Sequence, residues 1–302
     1  MSTIVYVGAV GRSGTTLLER TIATSPTCTA LGEVVHLWDR GVLSDESCGC
    51  GARFSECAFW SEVGQRAFGG WDRVDPDRLG ADRRRVDRNR YIPWLLVPAI
   101  APRSFRVARE RLIRTLDALY VAAGEVAGVD VLVDSSKHPS YLFLLRSLPS
   151  HDVRLLHVIR DPRGVAHSWS KEVARPESGA PMEQLSTGRA IGRWTSHNLL
   201  LQLASVVGIR RRRLPYGRFV EQPGSVGTAV DDLIGRPTTQ PLAIHGTTVT
   251  LGQDHTVSGN PSRFRTGAVD VRPDDAWRHA MSAQHRRVVG ALTTPLRQVY
   301  LR

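Results

Sequence analysis

Four apolar residues, Ile4-Val5-Tyr6-Val7, run directly into Gly8-Ala9-Val10-Gly11-Arg12-Ser13-Gly14-Thr15-Thr16, and the stretch from Thr15 to Ala23 then sets Leu17, Leu18 and Ile22 on one helical face. A buried strand, a glycine-rich turn and a helix in immediate succession are the opening unit of an open α/β sheet. Glycine lets the backbone wrap closely, and the unpaired N–H groups and dipole at a helix start attract negative charge. The first twenty-odd residues therefore predict an anion cradle.

The loop differs from that of a nucleoside triphosphatase, which reads Gly, four residues, Gly-Lys and Ser or Thr, with the Lys reaching the outer phosphates and the hydroxyl on magnesium. Here Ala9 stands for the first Gly and Thr15 for the Lys, and the loop's cation is Arg12, ahead of Gly14. A P-loop kinase or related nucleotide phosphotransferase shares the strand, loop and helix, but it also needs a loop Lys and a metal-binding carboxylate, and neither is evident.

Further along, Val131-Leu132-Val133 and Val153 to Ile159 are short, apolar and β-branched, as buried parallel strands are, and each leads into a polar turn and a helix. Trp71 to Val129 is Arg-rich, with Leu112, Leu116, Leu119 and Tyr120 at helical spacing. Lys171 to Gly188 shifts to Pro, Gly, Ser and Glu, which reads as a loop near the active site or a surface connection. A helix follows over Arg189 to Val207, a strand over Arg218 to Val220, and helices over Ser225 to Ile234 and Pro273 to Leu296. No repeat or linker interrupts the alternation. The expectation is one α/β domain over 1–302, a central, mostly parallel sheet flanked by helices, with 72–128 as a helical lid and 171–188 as a loop on the acceptor side.

The chain carries 40 Lys plus Arg against 29 Asp plus Glu, a formal charge of +11. That balance suits an anionic partner or the Arg-rich usage of a G+C-rich genome. The arginines are dispersed, without a basic tail or an aromatic-interleaved RNA motif, so a small polyanion is expected rather than nucleic acid, and a non-catalytic nucleotide- or RNA-binding module is the second alternative. The N-terminus lacks signal-peptide features, and the longest apolar stretch, Ile92 to Ile100, is broken by Pro93 and Pro98. A cytoplasmic protein without a membrane span is expected.

Cys48, Cys50 and Cys57 cluster in Cys-x-Cys-x6-Cys. A zinc site there needs a fourth ligand, for which Cys28 or His36 is available. A disulfide from Cys57 and a compact loop of buried thiols are the other readings.

Arg12-Ser13-Gly14-Thr15-Thr16 resembles the 5′-phosphosulfate loop of sulfotransferases that use 3′-phosphoadenosine 5′-phosphosulfate (PAPS), particularly tyrosylprotein sulfotransferases and related bacterial small-molecule enzymes. A second match, in the same order, is Val158-Ile159-Arg160-Asp161-Pro162-Arg163-Gly164 continuing to Ser168-Trp169, similar to the family's 3′-phosphate motif. Arg160 at a strand end can bond a phosphate bidentately, and Ser168, eight residues on, can add a hydroxyl. Asp161 beside it also allows a local ion pair. The third match, Val133-Asp134-Ser135-Ser136-Lys137-His138-Pro139, presents one Lys at a strand end, where ligands bind in open α/β sheets. Leu214 to Pro223 and Gly259-Asn260-Pro261-Ser262-Arg263 resemble a family strand and the C-terminal loop that closes on the donor nucleotide, which makes Arg263 a donor contact.

The resemblance implies sulfuryl transfer from PAPS to a hydroxyl of a small-molecule, glycan or lipid acceptor, with 3′,5′-adenosine bisphosphate leaving and no metal required. Arg12 and the N–H groups of Ser13, Gly14, Thr15 and Thr16 would hold the 5′-phosphate, Arg160 and Ser168 the 3′-phosphate, and Lys137 the bridging oxygen. Glu33 in Leu31-Gly32-Glu33 matches the catalytic glutamate by position, provided burial raises its pKa towards neutrality, and His36 is the competing base.

Overall fold

The computed structural model describes residues 2–172, 183–237 and 241–301. Of the expected loop at 171–188, residues 173–182 lie outside the described residues. Five strands, β1 (Ser2–Gly8), β2 (Cys28–Gly32), β3 (Val131–Asp134), β4 (His151–Ile159) and β5 (Arg211–Pro215), form a sheet in the order β2-β3-β1-β4-β5, with every neighbouring pair parallel. The strand interior alternates strictly. Ile4 and Tyr6 of β1 pack with Leu132 and Leu155 on one face, whereas Val5 and Val7 pack with Val133, Leu156 and Val158 on the other. Both faces are buried, as the continuous apolar runs require.

In chain order the helices are α1 (Thr15–Ile22), α2 (Ala58–Phe68), α3 (Pro76–Val86), α4 (Ile92–Leu96), α5 (Arg103–Ala127), α6 (Pro139–Leu145), α7 (Pro162–Ser170), α8 (Thr187–Val206), α9 (Tyr216–Glu221), α10 (Ser225–Ile234), α11 (Trp277–Ala280) and α12 (Ala283–Tyr300). The Arg-rich stretch expected to be helical is α3 to α5. Leu112, Leu116, Leu119 and Tyr120 of α5 are its buried stripe, as their spacing predicts. None of the described helices is long and apolar enough to cross a membrane.

Two expectations are corrected, and one element is new. The strand placed over Arg218 to Val220 is the helix α9, whose Phe219 and Val220 are buried, and the fifth strand is Arg211–Pro215 instead. Three consecutive arginines disguise it, and they are tolerated because β5 is an edge strand with exposed side chains. The C-terminal helix is split into α11 and α12, with Ser282 capping the second through its hydroxyl, 3.2 Å from the His285 N–H. A small antiparallel sheet, β6 (Ile244–His245), β7 (Thr248–Leu251) and β8 (Gly267–Asp270), was not anticipated.

Candidate active site

The carboxyl ends of β1, β2, β3 and β4 open on one cavity of about 840 Å³, lined by Arg12, Gly14, Thr15, Thr16, Glu33, Lys137, Arg160 and Ser168 among others. Residues far apart in sequence thus meet where an open α/β sheet binds ligands. Ser13 and Arg263 are buried, and neither lines the cavity. The Arg263 guanidinium instead donates to the Ser47 carbonyl at 2.7 Å.

The loop after β1 is fixed by aromatic walls. Gly14, left-handed at φ 74°, caps α1, and a Cβ there would sit 2.3 Å from the Tyr216 ring. A Cβ on Gly11 would meet Trp169 at 2.8 Å, and the Trp169 indole donates to the Gly11 carbonyl at 3.0 Å. Arg12 is also left-handed, at φ 69°, with its guanidinium 5.7 Å from the Trp169 centroid. Such a conformation in a non-glycine residue costs energy and clusters at functional sites.

Arg160 at the end of β4 is nearly buried. It donates to the Arg12 carbonyl at 2.7 Å and to Asp274 at 2.9 Å, and stacks 5.2 Å above the Tyr216 ring. The anticipated local pair with Asp161 is made by Arg163, at 2.6 Å, while Asp161 caps α7 through the Arg163 N–H. Arg160 is therefore held by the tertiary fold and aimed at the loop.

Beyond β3, the Asp134 carboxylate turns the chain by accepting from the Ser136 N–H at 2.7 Å, and the Ser136 hydroxyl accepts from the Val35 N–H at 3.0 Å. Lys137 follows at φ 70° and donates to Glu33 Oε1. Of the chain's 40 basic residues, Lys137 and Lys171 are the two lysines. Glu33 itself follows Gly32, at φ 80°, where a Cβ would strike the Val257 carbonyl oxygen at 2.5 Å. The Glu33 N–H donates to that same carbonyl at 2.8 Å. Residues 257–260 thereby close over the site: Gly259 lies beside Glu33 and Thr16, and the Asn260 N–H donates to the Thr16 hydroxyl at 3.4 Å.

The condition set for Glu33 as a base, a pKa raised by burial, is not met in the free protein. Burial pushes it up, but the charge and hydrogen bond of Lys137 outweigh burial and leave it below the ordinary value. His36, with Nε2 3.6 Å from Glu33 Oε2, is pulled down to about 4, chiefly by burial. At neutral pH the carboxyl is ionised and the imidazole neutral.

Sequence reading overlooked an aligned dyad. His138 lines the cavity, and its Nδ1 lies 2.9 Å from the buried Asp87, which also accepts from the Ser140 hydroxyl at 2.6 Å. Adjacency to Lys137 was the available signal for His138. Asp87, at the end of α3, gave none. Arg40, Arg83 and Arg193 also line the cavity, together with the carboxylates of Asp39, Glu46, Glu183 and Asp274.

No family model and no curated protein matches the chain. Among solved structures it is similar to the sulfotransferase domain from the curacin biosynthetic pathway, with a TM-score of 0.51 and 15% identity over 97% of this chain and 98% of that one. Sulfotransferase STF9 from Mycobacterium avium aligns with 79% of this chain and 65% of its own, at a TM-score of 0.44 and 18% identity. From its first strand to its last helix, then, this chain has the sulfotransferase fold.

Proposed function

We propose that the protein is a sulfotransferase that moves the sulfuryl group of PAPS to a hydroxyl of a small-molecule, glycan or lipid acceptor. The observation that carries this reading is the convergence of Arg12, Lys137, Glu33 and Arg160 on one cavity whose loop lacks the Lys a nucleoside triphosphatase needs. The helix α1 start and Arg12 receive the 5′-phosphate, and Arg160 with Ser168 the 3′-phosphate.

Sulfuryl transfer is an in-line displacement in which the protein mainly positions groups and neutralises charge. The acceptor oxygen forms the new S–O bond as the bond to the donor's bridging oxygen breaks, and the hydroxyl proton passes to Glu33. The Lys137 ammonium has three N–H donors, one of them on Glu33, and another reaches the bridging oxygen when the donor binds, beside an ionised carboxylate that serves as base. His36, neutral, stands 3.6 Å from the far carboxylate oxygen. The acceptor enters on the side of Arg83 and His138, next to α3.

The test is thermal stabilisation by 3′,5′-adenosine bisphosphate against ADP and ATP, each with and without magnesium, because a ligand of the native state raises the melting temperature. A selective, magnesium-independent rise that disappears in Arg160→Ala is expected. A response confined to ATP with magnesium would replace this reading by a kinase.

A further inference from the structure

The Cys-x-Cys-x6-Cys cluster lies outside the cavity, and the fold supplies the partner that its sequence lacked. That partner is neither Cys28, which sits on β2 against Thr27, nor His36, which faces Glu33. It is His255, some 200 residues further on. The three sulfurs and His255 Nδ1 all lie within 4.8 Å of one another. Cys57 Sγ is 3.5 Å from Cys48 Sγ and 3.8 Å from Cys50 Sγ, and His255 Nδ1 is 3.3 Å from Cys57 Sγ and 3.8 Å from Cys48 Sγ.

A tetrahedral zinc with Zn–S of about 2.3 Å and Zn–N of about 2.0 Å places its ligands at edges of roughly 3.8 Å for S···S and 3.5 Å for S···N. The observed separations scatter about those edges. We propose that Cys48, Cys50, Cys57 and His255 bind a structural zinc ion. Three thiolates and one imidazole favour zinc over the harder cations, and four protein ligands leave no open position for catalysis.

The surroundings are those of a built site. The His255 ring stacks on Phe59 at 4.9 Å, and its carbonyl accepts from the Trp60 indole at 2.8 Å, so two residues following Cys57 fix the ligand's orientation. Gly49 fits between the two ligands of Cys-x-Cys because a Cβ there would come within 2.5 Å of both Asp254 Oδ1 and Thr256 Oγ1. Its N–H donates to the Thr256 carbonyl at 3.0 Å, and Gln253 donates to the Cys50 carbonyl at 2.8 Å. The metal therefore staples residues 48–57 to 253–256, immediately ahead of Val257, whose carbonyl holds the Glu33 backbone. Its role is to position that closing segment.

Metal analysis of the full-length protein, purified under reducing conditions without chelators, tests this directly. About one zinc per chain is expected, together with a cobalt derivative showing tetrahedral ligand-field bands and thiolate charge transfer. His255→Ala should lower zinc retention against a competing chelator, whereas His255→Cys, which restores a fourth ligand, should keep it. If the alanine variant fails to fold, the wild-type metal count and cobalt spectrum still decide. Background zinc in folded wild-type protein that also fails to take up added zinc, or a Cys57 disulfide in its place, overturns the site. The metal count does not depend on sulfuryl transfer, so either proposal can fail alone.

Discussion

Lys137 donates to the Glu33 carboxylate from a backbone that is itself left-handed, at φ 70°. The conformation is disfavoured for a side-chain-bearing residue, and it is held by the Asp134 turn before it and by α6, starting at Pro139, after it. The pair sets the ionisation of the candidate base. Since Lys137 is the largest influence opposing burial at Glu33, Lys137→Met raises the Glu33 pKa, and the acid limb of the kcat/KM profile moves to higher pH. Glu33→Gln should reduce turnover by about 10²- to 10⁴-fold while leaving bisphosphate binding intact. Near-normal turnover in the glutamine variant, measured with an acceptor found by screening, would remove Glu33 from the mechanism.

Gly32 is the hinge that puts Glu33 there. Alanine at φ 80° is strained, and its methyl would sit 2.5 Å from the Val257 carbonyl oxygen, so β2 and residues 256–258 must separate. Gly32→Ala is expected to lose about 2 kcal/mol or more of stability in urea denaturation. It should also weaken the Glu33 N–H bond to Val257, so that activity falls further than the lost stability alone explains.

Asp274 accepts from Arg160 at 2.9 Å, yet Arg160 is also bonded to the Arg12 carbonyl and stacked on Tyr216. Removing the acid charge therefore leaves the guanidinium in place and lifts a repulsion from any arriving phosphate. Asp274→Asn should bind 3′,5′-adenosine bisphosphate several-fold more tightly by calorimetry, a gain of the size a partly exposed ion pair supports. Weaker binding would mean that Asp274 is what holds Arg160 in position.

The parts of the site legible in the sequence are those carried by local pattern. The strand, glycine turn and helix at residues 4–23 are adjacent in the chain, and Arg160 and Lys137 each follow a short β-branched apolar run that reads as a buried strand. What escaped depends on long-range closure. Asp87 reaches His138 across 51 residues, and His255 reaches Cys57 across 198, distances over which no periodicity speaks. The strand β5 hid behind Arg211 to Arg213 because an edge strand need not be apolar. The direction of the Glu33 pKa was not legible either, because it depends on the Lys that the fold brings to it across 104 residues.

Arg20 binds the C-terminal segment to α1 from a nearly buried position. Its guanidinium pairs with Asp254 and donates to the carbonyls of Gly252, Ser262 and Arg265 at 2.9, 3.1 and 2.7 Å. Methionine in its place keeps the volume but removes the ion-pair partner of Asp254, whose other oxygen keeps its Thr256 bonds, and a donor from three carbonyls. Arg20→Met should cost about 3–5 kcal/mol, the usual penalty for leaving a buried charge without its partner. A loss below about 1 kcal/mol in denaturant titration would show that water replaces the guanidinium.

His157 on β4 offers a pH test that is independent of the active site. It is fully buried against Asn198, 2.8 Å from Nε2 to Oδ1, and its pKa is pulled down to about 3, mainly by burial. Between that value and the ordinary one near 6.5, the unfolded chain binds a proton at this position that the folded chain does not. Stability must therefore fall as pH drops through that window, with His157 supplying a slope of about 1.4 kcal/mol per pH unit. His157→Gln keeps a hydrogen-bonding group of similar size but removes the titration, so its stability should decline less steeply from pH 6.5 to 4. Parallel pH dependences of wild type and variant in urea titrations would mean that the His157 proton is shared equally by the folded and unfolded states.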